Sequence, residues 1–120
     1  MDSADEWMAG YRRAWLSNDA DDIRSLFTED AVYRRTPFAE PWVGREAIVT
    51  AWLAIDDQPE LTTFEWTELG VADGLAVVEG RTGYPELGVF SNLWLLRLEP
   101  DGRVSQYREW WMRDRRARSA

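Results

Sequence analysis

The apolar residues of this 120-residue chain change their period once, near residue 60. Before that point Trp7, Met8, Tyr11, Ala14 and Trp15 recur at helical spacing and predict a helix at about 4–17. Asn18-Asp19 ends it. Asp19 is placed to cap a second helix, with Asp21 and Asp22 in its first turn and Ile23, Leu26 and Phe27 as its buried face. Ala31 to Arg35 reads as a short strand, Pro37 and Pro41 bracket an irregular bend, and Gly44 opens a third helix through about Ile55. Beyond residue 60 the period is two, and strands are expected at about 61–71, 75–84, 88–99 and 103–113. Asp73-Gly74 is a strong hairpin signal and Pro100-Asp101-Gly102 a further turn. Helices first and a meander later predict an α+β fold, with three N-terminal helices packed on a mainly antiparallel sheet. No linker or repeat interrupts the pattern. Residues 1–113 therefore read as one domain and 114–120 as a short Arg-rich tail.

Three residue types are missing. The chain has no His and no Cys, and all 14 of its cationic side chains are Arg. A Ser-His-Asp triad, a Cys nucleophile, a Schiff-base lysine and a His/Cys zinc site are thereby excluded. Any catalysis must use carboxylates, phenols, Arg, amides or hydroxyls; no cofactor and no metal site is expected. The net charge of −8 argues against nucleic acid and anionic membranes as partners. The acidic start MDSADEW resembles no secretory signal, and no run is long and apolar enough to span a membrane, so a cytoplasmic location is the expectation.

Two stretches carry a resemblance. They are Asp19-x-x-x-Ile23-x-x-Leu26-Phe27-x-x-Asp30-Ala31 and Glu40-Pro41-x-x-Gly44-x-x-x-Ile48. With the order of elements, they resemble the nuclear-transport-factor-2-like superfamily, and within it the SnoaL-like proteins. The resemblance extends over nearly the whole chain. It implies a strongly curved sheet closed by helices into a cone with an internal pocket. It does not choose an activity, since the superfamily holds isomerases, dehydratases, epoxide hydrolases and polyketide cyclases. Aligned with ketosteroid isomerase, Tyr11 falls on the oxyanion-hole tyrosine, Arg35 on the general base, and Trp94 near the neutral carboxylic acid. An Arg cannot accept a proton from carbon and an indole cannot replace a protonated carboxyl, which argues against that enzyme's mechanism here.

The same register predicts the pocket walls. Tyr33 and Arg35 are expected inward on the first strand, with Trp66, then Glu79 and Arg81, then Asn92 and Trp94, then Tyr107, Glu109 and Trp111 on later strands. The helices add Tyr11, Trp15 and Trp52. Glu109 and Glu79 are the candidate acid/base groups, with Tyr11 and Arg35 as candidate catalytic partners; Tyr33, Trp52, Trp66, Arg81, Asn92, Trp94, Tyr107 and Trp111 are candidate ligand contacts. Two alternatives stay open at this stage. Glu79 and Arg81 lie on one face of their strand, which either lines the pocket or stays in water, or each pairs with a cross-strand charge. Arg35 either holds a ligand oxyanion or pairs with Glu79, Glu109 or Asp30. Eight Trp suit a small apolar or aromatic ligand. Both faces of the last strand carry Trp, so the outer sheet face is a candidate homodimer interface. The expectation is a metal-free isomerase, dehydratase, cyclase or hydrolase with a Glu acid/base. The alternatives are a non-catalytic binder of small molecules and a dimeric interaction module.

Overall fold

The computed structural model describes residues 3–55 and 63–115. The expected tail from residue 116 onward, and the first two residues of the strand expected at 61–71, lie outside them.

Helix α1 (Ser3–Ser17) buries Ala4, Trp7, Met8, Tyr11 and Ala14, a single stripe at helical spacing. Trp7 Nε1 donates to the Leu26 carbonyl at 2.8 Å and ties the helix to the next connection. Asn18, at φ 52°, turns the chain, and Asp19 caps α2 (Ala20–Arg24) by accepting from the N–H groups of Asp21 and Asp22 at 2.9 and 3.1 Å. This helix is shorter than the sequence predicts. Its C-cap is Ser25, whose N–H returns to the Asp21 carbonyl, so Leu26 and Phe27 lie beyond it. Phe27 already begins β1 (Phe27–Arg34). The start of that strand is hidden in the sequence because the polar residues Thr28 to Asp30 sit in a register shift against the last strand.

The bend between Pro37 and Pro41 ends in β2 (Trp42–Val43), a two-residue strand that sets Trp42 opposite Tyr33. Gly44 then caps α3 (Arg45–Leu53) at φ 95°, with its N–H on the Ala31 carbonyl at 2.8 Å. A side chain there would be strained, which is the physical content of the Gly-x-x-x-Ile spacing. Strands β3 (Thr63–Ala72), β4 (Leu75–Tyr84), β5 (Gly88–Leu98) and β6 (Val104–Arg113) form the meander. Asp73 and Gly74 both have positive φ, as a two-residue hairpin turn requires. The curved, open sheet has the order β2-β1-β6-β5-β4-β3, parallel only between β1 and β6. The helices pack on its inner face, completing an α+β cone.

Strand β4 corrects one expectation. Its inner face carries Ala76, Val78, Gly80 and Thr82; Val77, Glu79 and Arg81 face outward. The reason is Gly80, which pairs with Asn92 and lies under the indole of Trp94. A Cβ on Gly80 would collide with that ring and stand 2.5 Å from the Glu65 carbonyl oxygen. The large ring therefore needs the glycine on the inside, and both charges of β4 stay in water, where they cost least. Gly80→Ala is expected to destabilise the fold by about 2–3 kcal/mol through overpacking, read as a lower urea midpoint with an unchanged slope.

Candidate functional site

Inside the cone is a cavity of about 400 Å³. Its walls include Tyr11 and Trp15 from α1, Tyr33 from β1, Trp52 from α3, Phe64 from β3, and Asn92 and Trp94 from β5. Glu109 and Trp111 of β6 complete one side. Arg35, Leu87 and Trp111 are the exposed wall residues and mark the mouth.

Register explains how the rings meet. Trp42, Tyr33 and Tyr107 occupy adjacent positions on β2, β1 and β6. They stack in that order, with ring centroids 4.9 and 4.0 Å apart and nearly parallel planes. Tyr107 itself is fully buried behind the cavity wall. Phe64 stacks on Trp94, and Tyr11 meets Trp52 edge to face.

Among the described residues, Glu109 is the one carboxylate of the cavity wall. Tyr107 donates its hydroxyl to Oε1 at 2.6 Å, and Asn92 Nδ2 donates to Oε2 at 2.8 Å. Thr82 Oγ1 donates to Asn92 Oδ1 at 3.0 Å, which fixes the amide with its N–H toward the carboxylate. Trp94 Nε1 donates to the Tyr107 oxygen at 3.0 Å. Tyr11 links that oxygen, 3.0 Å away, to the Tyr33 hydroxyl at 3.2 Å. The four ion pairs found among the described residues all lie elsewhere, and among those residues no cation pairs with Glu109. Burial pushes its carboxyl above the usual Glu range, opposed by the hydrogen bonds from Tyr107, Asn92 and Trp94. Burial also raises Tyr11, Tyr33 and Tyr107 above the ordinary phenol value.

The remaining candidates fall in different places. Arg35 lines the mouth with its guanidinium over the Trp42 ring, 5.1 Å from the centroid, in no ion pair with Glu79, Glu109 or Asp30. Glu79 and Arg81 are outside the cone, beside Glu65. Trp66 is also away from the cavity: it packs edge to face on Phe64 and donates Nε1 to Asp5 at 2.8 Å. Wall residues that the sequence reading missed include Trp42, Thr82, Tyr84 and Phe90. The first sits in the hidden strand β2, and Thr82 and Tyr84 follow from the true phase of β4. Among the described residues no three His, Cys, Asp or Glu gather closely enough to hold a metal ion, and no helix is long and apolar enough to cross a membrane.

The raised Glu109 gives stability a definite sign. The folded state holds this proton more tightly than the unfolded chain does. Its contribution is therefore complete below the unfolded value and is lost as pH rises through the folded value. Glu109→Gln is expected to remove this fall, seen as a flatter dependence of the urea midpoint on pH above about pH 4.5. A Gln fits with its oxygen facing the Asn92 N–H and its own amide N–H turned to the Tyr107 oxygen, which can accept.

The sequence model of the SnoaL-like domain matches residues 8–113. No curated protein matches the chain. Solved structures do. An NTF-2-like protein of unknown function from Burkholderia xenovorans superposes with a TM-score of 0.71 at 16% identity, over 93% of this chain and 84% of that one. A steroid delta-isomerase from Pseudomonas aeruginosa gives 0.66 at 19% identity, over 93% and 81%. A protein with a ketosteroid isomerase-like fold from Catenulispora acidiphila, in complex with trimethylamine, gives 0.67 at 19%, over 88% and 84%. At such identities the likeness is one of fold. With its sequence matched from α1 to the end of β6, this chain belongs to the SnoaL-like domain family.

Proposed function

We propose that this protein takes a small apolar or aromatic molecule into the cone and moves a proton on it with Glu109, as a metal-free isomerase, dehydratase, cyclase or hydrolase. One observation carries this reading: a carboxyl group in the wall of an aromatic cavity, raised by burial and held by neutral donors, with no ion pair to it among the described residues. A pKa moved toward neutrality suits a group that must both take and return a proton. Tyr11, Tyr33 and Asn92 line the same cavity and are placed to orient a ligand oxygen; Arg35 at the mouth suits an anionic substituent. Glu79, Arg81 and Trp66 have no part in it, because they lie outside the cavity.

Exchange of the α-hydrogens of 2-tetralone in D₂O, followed by proton NMR, tests the reading. The wild type is expected to accelerate exchange, and Glu109→Gln to lower the catalysed rate by about 10²–10⁴-fold. An unchanged rate in the variant would overturn the role of Glu109. A second reading, a non-catalytic binder, is favoured by the fact that both carboxylate oxygens already carry hydrogen bonds. Binding of the ketone without any exchange would select it.

We also propose that two copies pair through the outer sheet face. Leu93 and Trp110 are direct cross-strand partners there, both part-exposed, with Met112 nearby and 74% exposed. The face carries both signs of charge in Glu79, Arg81 and Arg108, so a twofold pairing can set opposite charges together. Trp110→Glu is expected to convert a sedimenting dimer into a monomer; a wild-type monomer at micromolar concentration would refute the pairing.

A further inference from the structure

We propose that Tyr107 is a reversible relay, through which the charge on Glu109 decides whether Tyr11 and Tyr33 offer the cavity oxygen lone pairs or O–H groups. The inference rests on the cavity being a ligand site, as argued above, and not on turnover.

A phenol has one hydrogen to donate. With Glu109 ionised, Tyr107 gives its hydrogen to Oε1, and Trp94, a donor only, fills one of its lone pairs. Tyr11 must then donate to Tyr107, and Tyr33 must donate to Tyr11. Every hydrogen in the chain points toward the carboxylate, and the cavity meets only lone pairs. With Glu109 neutral, the order reverses. Oε2 faces the Asn92 N–H, which cannot accept, so the carboxyl hydrogen finds its acceptor at Tyr107 through Oε1. Tyr107 turns its own hydrogen to Tyr11. The hydrogen of Tyr11 is then released to Tyr33 or to a ligand, and either route ends in an O–H at the cavity. No heavy atom has to move, so the reversal costs only rotation of hydroxyl groups.

The groups around Glu109 leave it as the one that changes charge. They are Tyr107 on β6, Tyr84 on β4, Tyr33 and Arg35 on β1, and Tyr11 on α1. The wall residues Asn92 and Trp94 of β5, Trp52 of α3 and Phe64 of β3 do not titrate. All four tyrosines are pushed up by burial, away from neutral pH, while Glu109 is pushed toward it. The ligand class that uses both settings is an enolisable carbonyl compound. Its enol O–H is received by the charged state and its carbonyl oxygen by the neutral state.

Two bicyclic probes of similar size test the relay by calorimetry: indole, which donates but does not accept, and 1-indanone, which accepts but does not donate. As pH rises from about 4.5 through the raised titration of Glu109, the wild type is expected to bind indole more tightly and indanone more weakly, each by about tenfold, the effect of one hydrogen bond left unmade. In Tyr107→Phe both slopes are expected to flatten while binding persists. Should that variant fail to fold, Tyr11→Phe breaks the same chain one link further on, with the same expected flattening. Slopes of the same sign in the wild type overturn the relay. Opposed slopes that survive in the folded variant also overturn it, since the probes would then be meeting Glu109 directly. Failure of both probes to bind overturns the relay together with the reading of the cavity.

Discussion

A carboxyl group set among aromatic rings must be satisfied without a cation, and much of this structure answers that need. The chain has no Lys or His. Among the described residues the ion pairs lie elsewhere, Arg24 and Arg45 with Glu46 and Arg103 with Asp101, while Arg35 lies over the face of Trp42. Glu109 is left with neutral donors, and each donor needs partners of its own. Asn92 is oriented by Thr82, and Tyr107 sits between Trp94 and Tyr11. A single buried charge thus recruits polar atoms from α1, β1, β4, β5 and β6. Such a network is fully satisfied or costly, with little between, which makes it a strong specifier of one arrangement.

Packing and polarity are set by the same residues. The stacked rings of Trp42, Tyr33 and Tyr107 come from adjacent register positions on three strands, and that stack holds the Tyr107 hydroxyl under the carboxylate. Gly80 gives Trp94 the room to lie flat against β4, and the indole N–H then reaches Tyr107. The wall of the cavity and its hydrogen-bond relay share one set of side chains, so changes to the packing also reach the chemistry.

The sequence displays these features unevenly. Helix α1, the Asp19 cap, the Gly44 start of α3 and the Asp73-Gly74 turn are local, and local spacing reveals them. The phase of β4 is not local. Ala76 and Val78 compete with Val77 as inward candidates, and the decision falls to Gly80, whose lack of a side chain matters only because Trp94 of the next strand covers it. Strand β2 has two residues and follows a Pro-rich bend, too little for any periodic signal. Glu109 was readable as a candidate because Tyr107 and Trp111 share its face. Asn92 and Tyr107 were readable as inward candidates too, but not their bonds to Glu109, since Thr82, Asn92 and Tyr107 come together only through the pairing of three strands.

The parallel pairing of β1 with β6 sets the order in which the site comes into being. Tyr11 and Tyr107 are 96 residues apart, yet their hydroxyls touch. On a ribosome, Tyr11 of α1 and Tyr33 of β1 emerge early, yet Tyr107, which completes their cluster, comes only with the last strand. The meander from β3 to β5 brings no link to Tyr33, because β6 alone separates and joins the two halves of the sheet. Closure of so long a loop comes late and slowly. Until β6 is made, the Tyr33 ring lacks one of the two neighbours on which it stacks, an interval in which chaperone binding or early self-association has its chance.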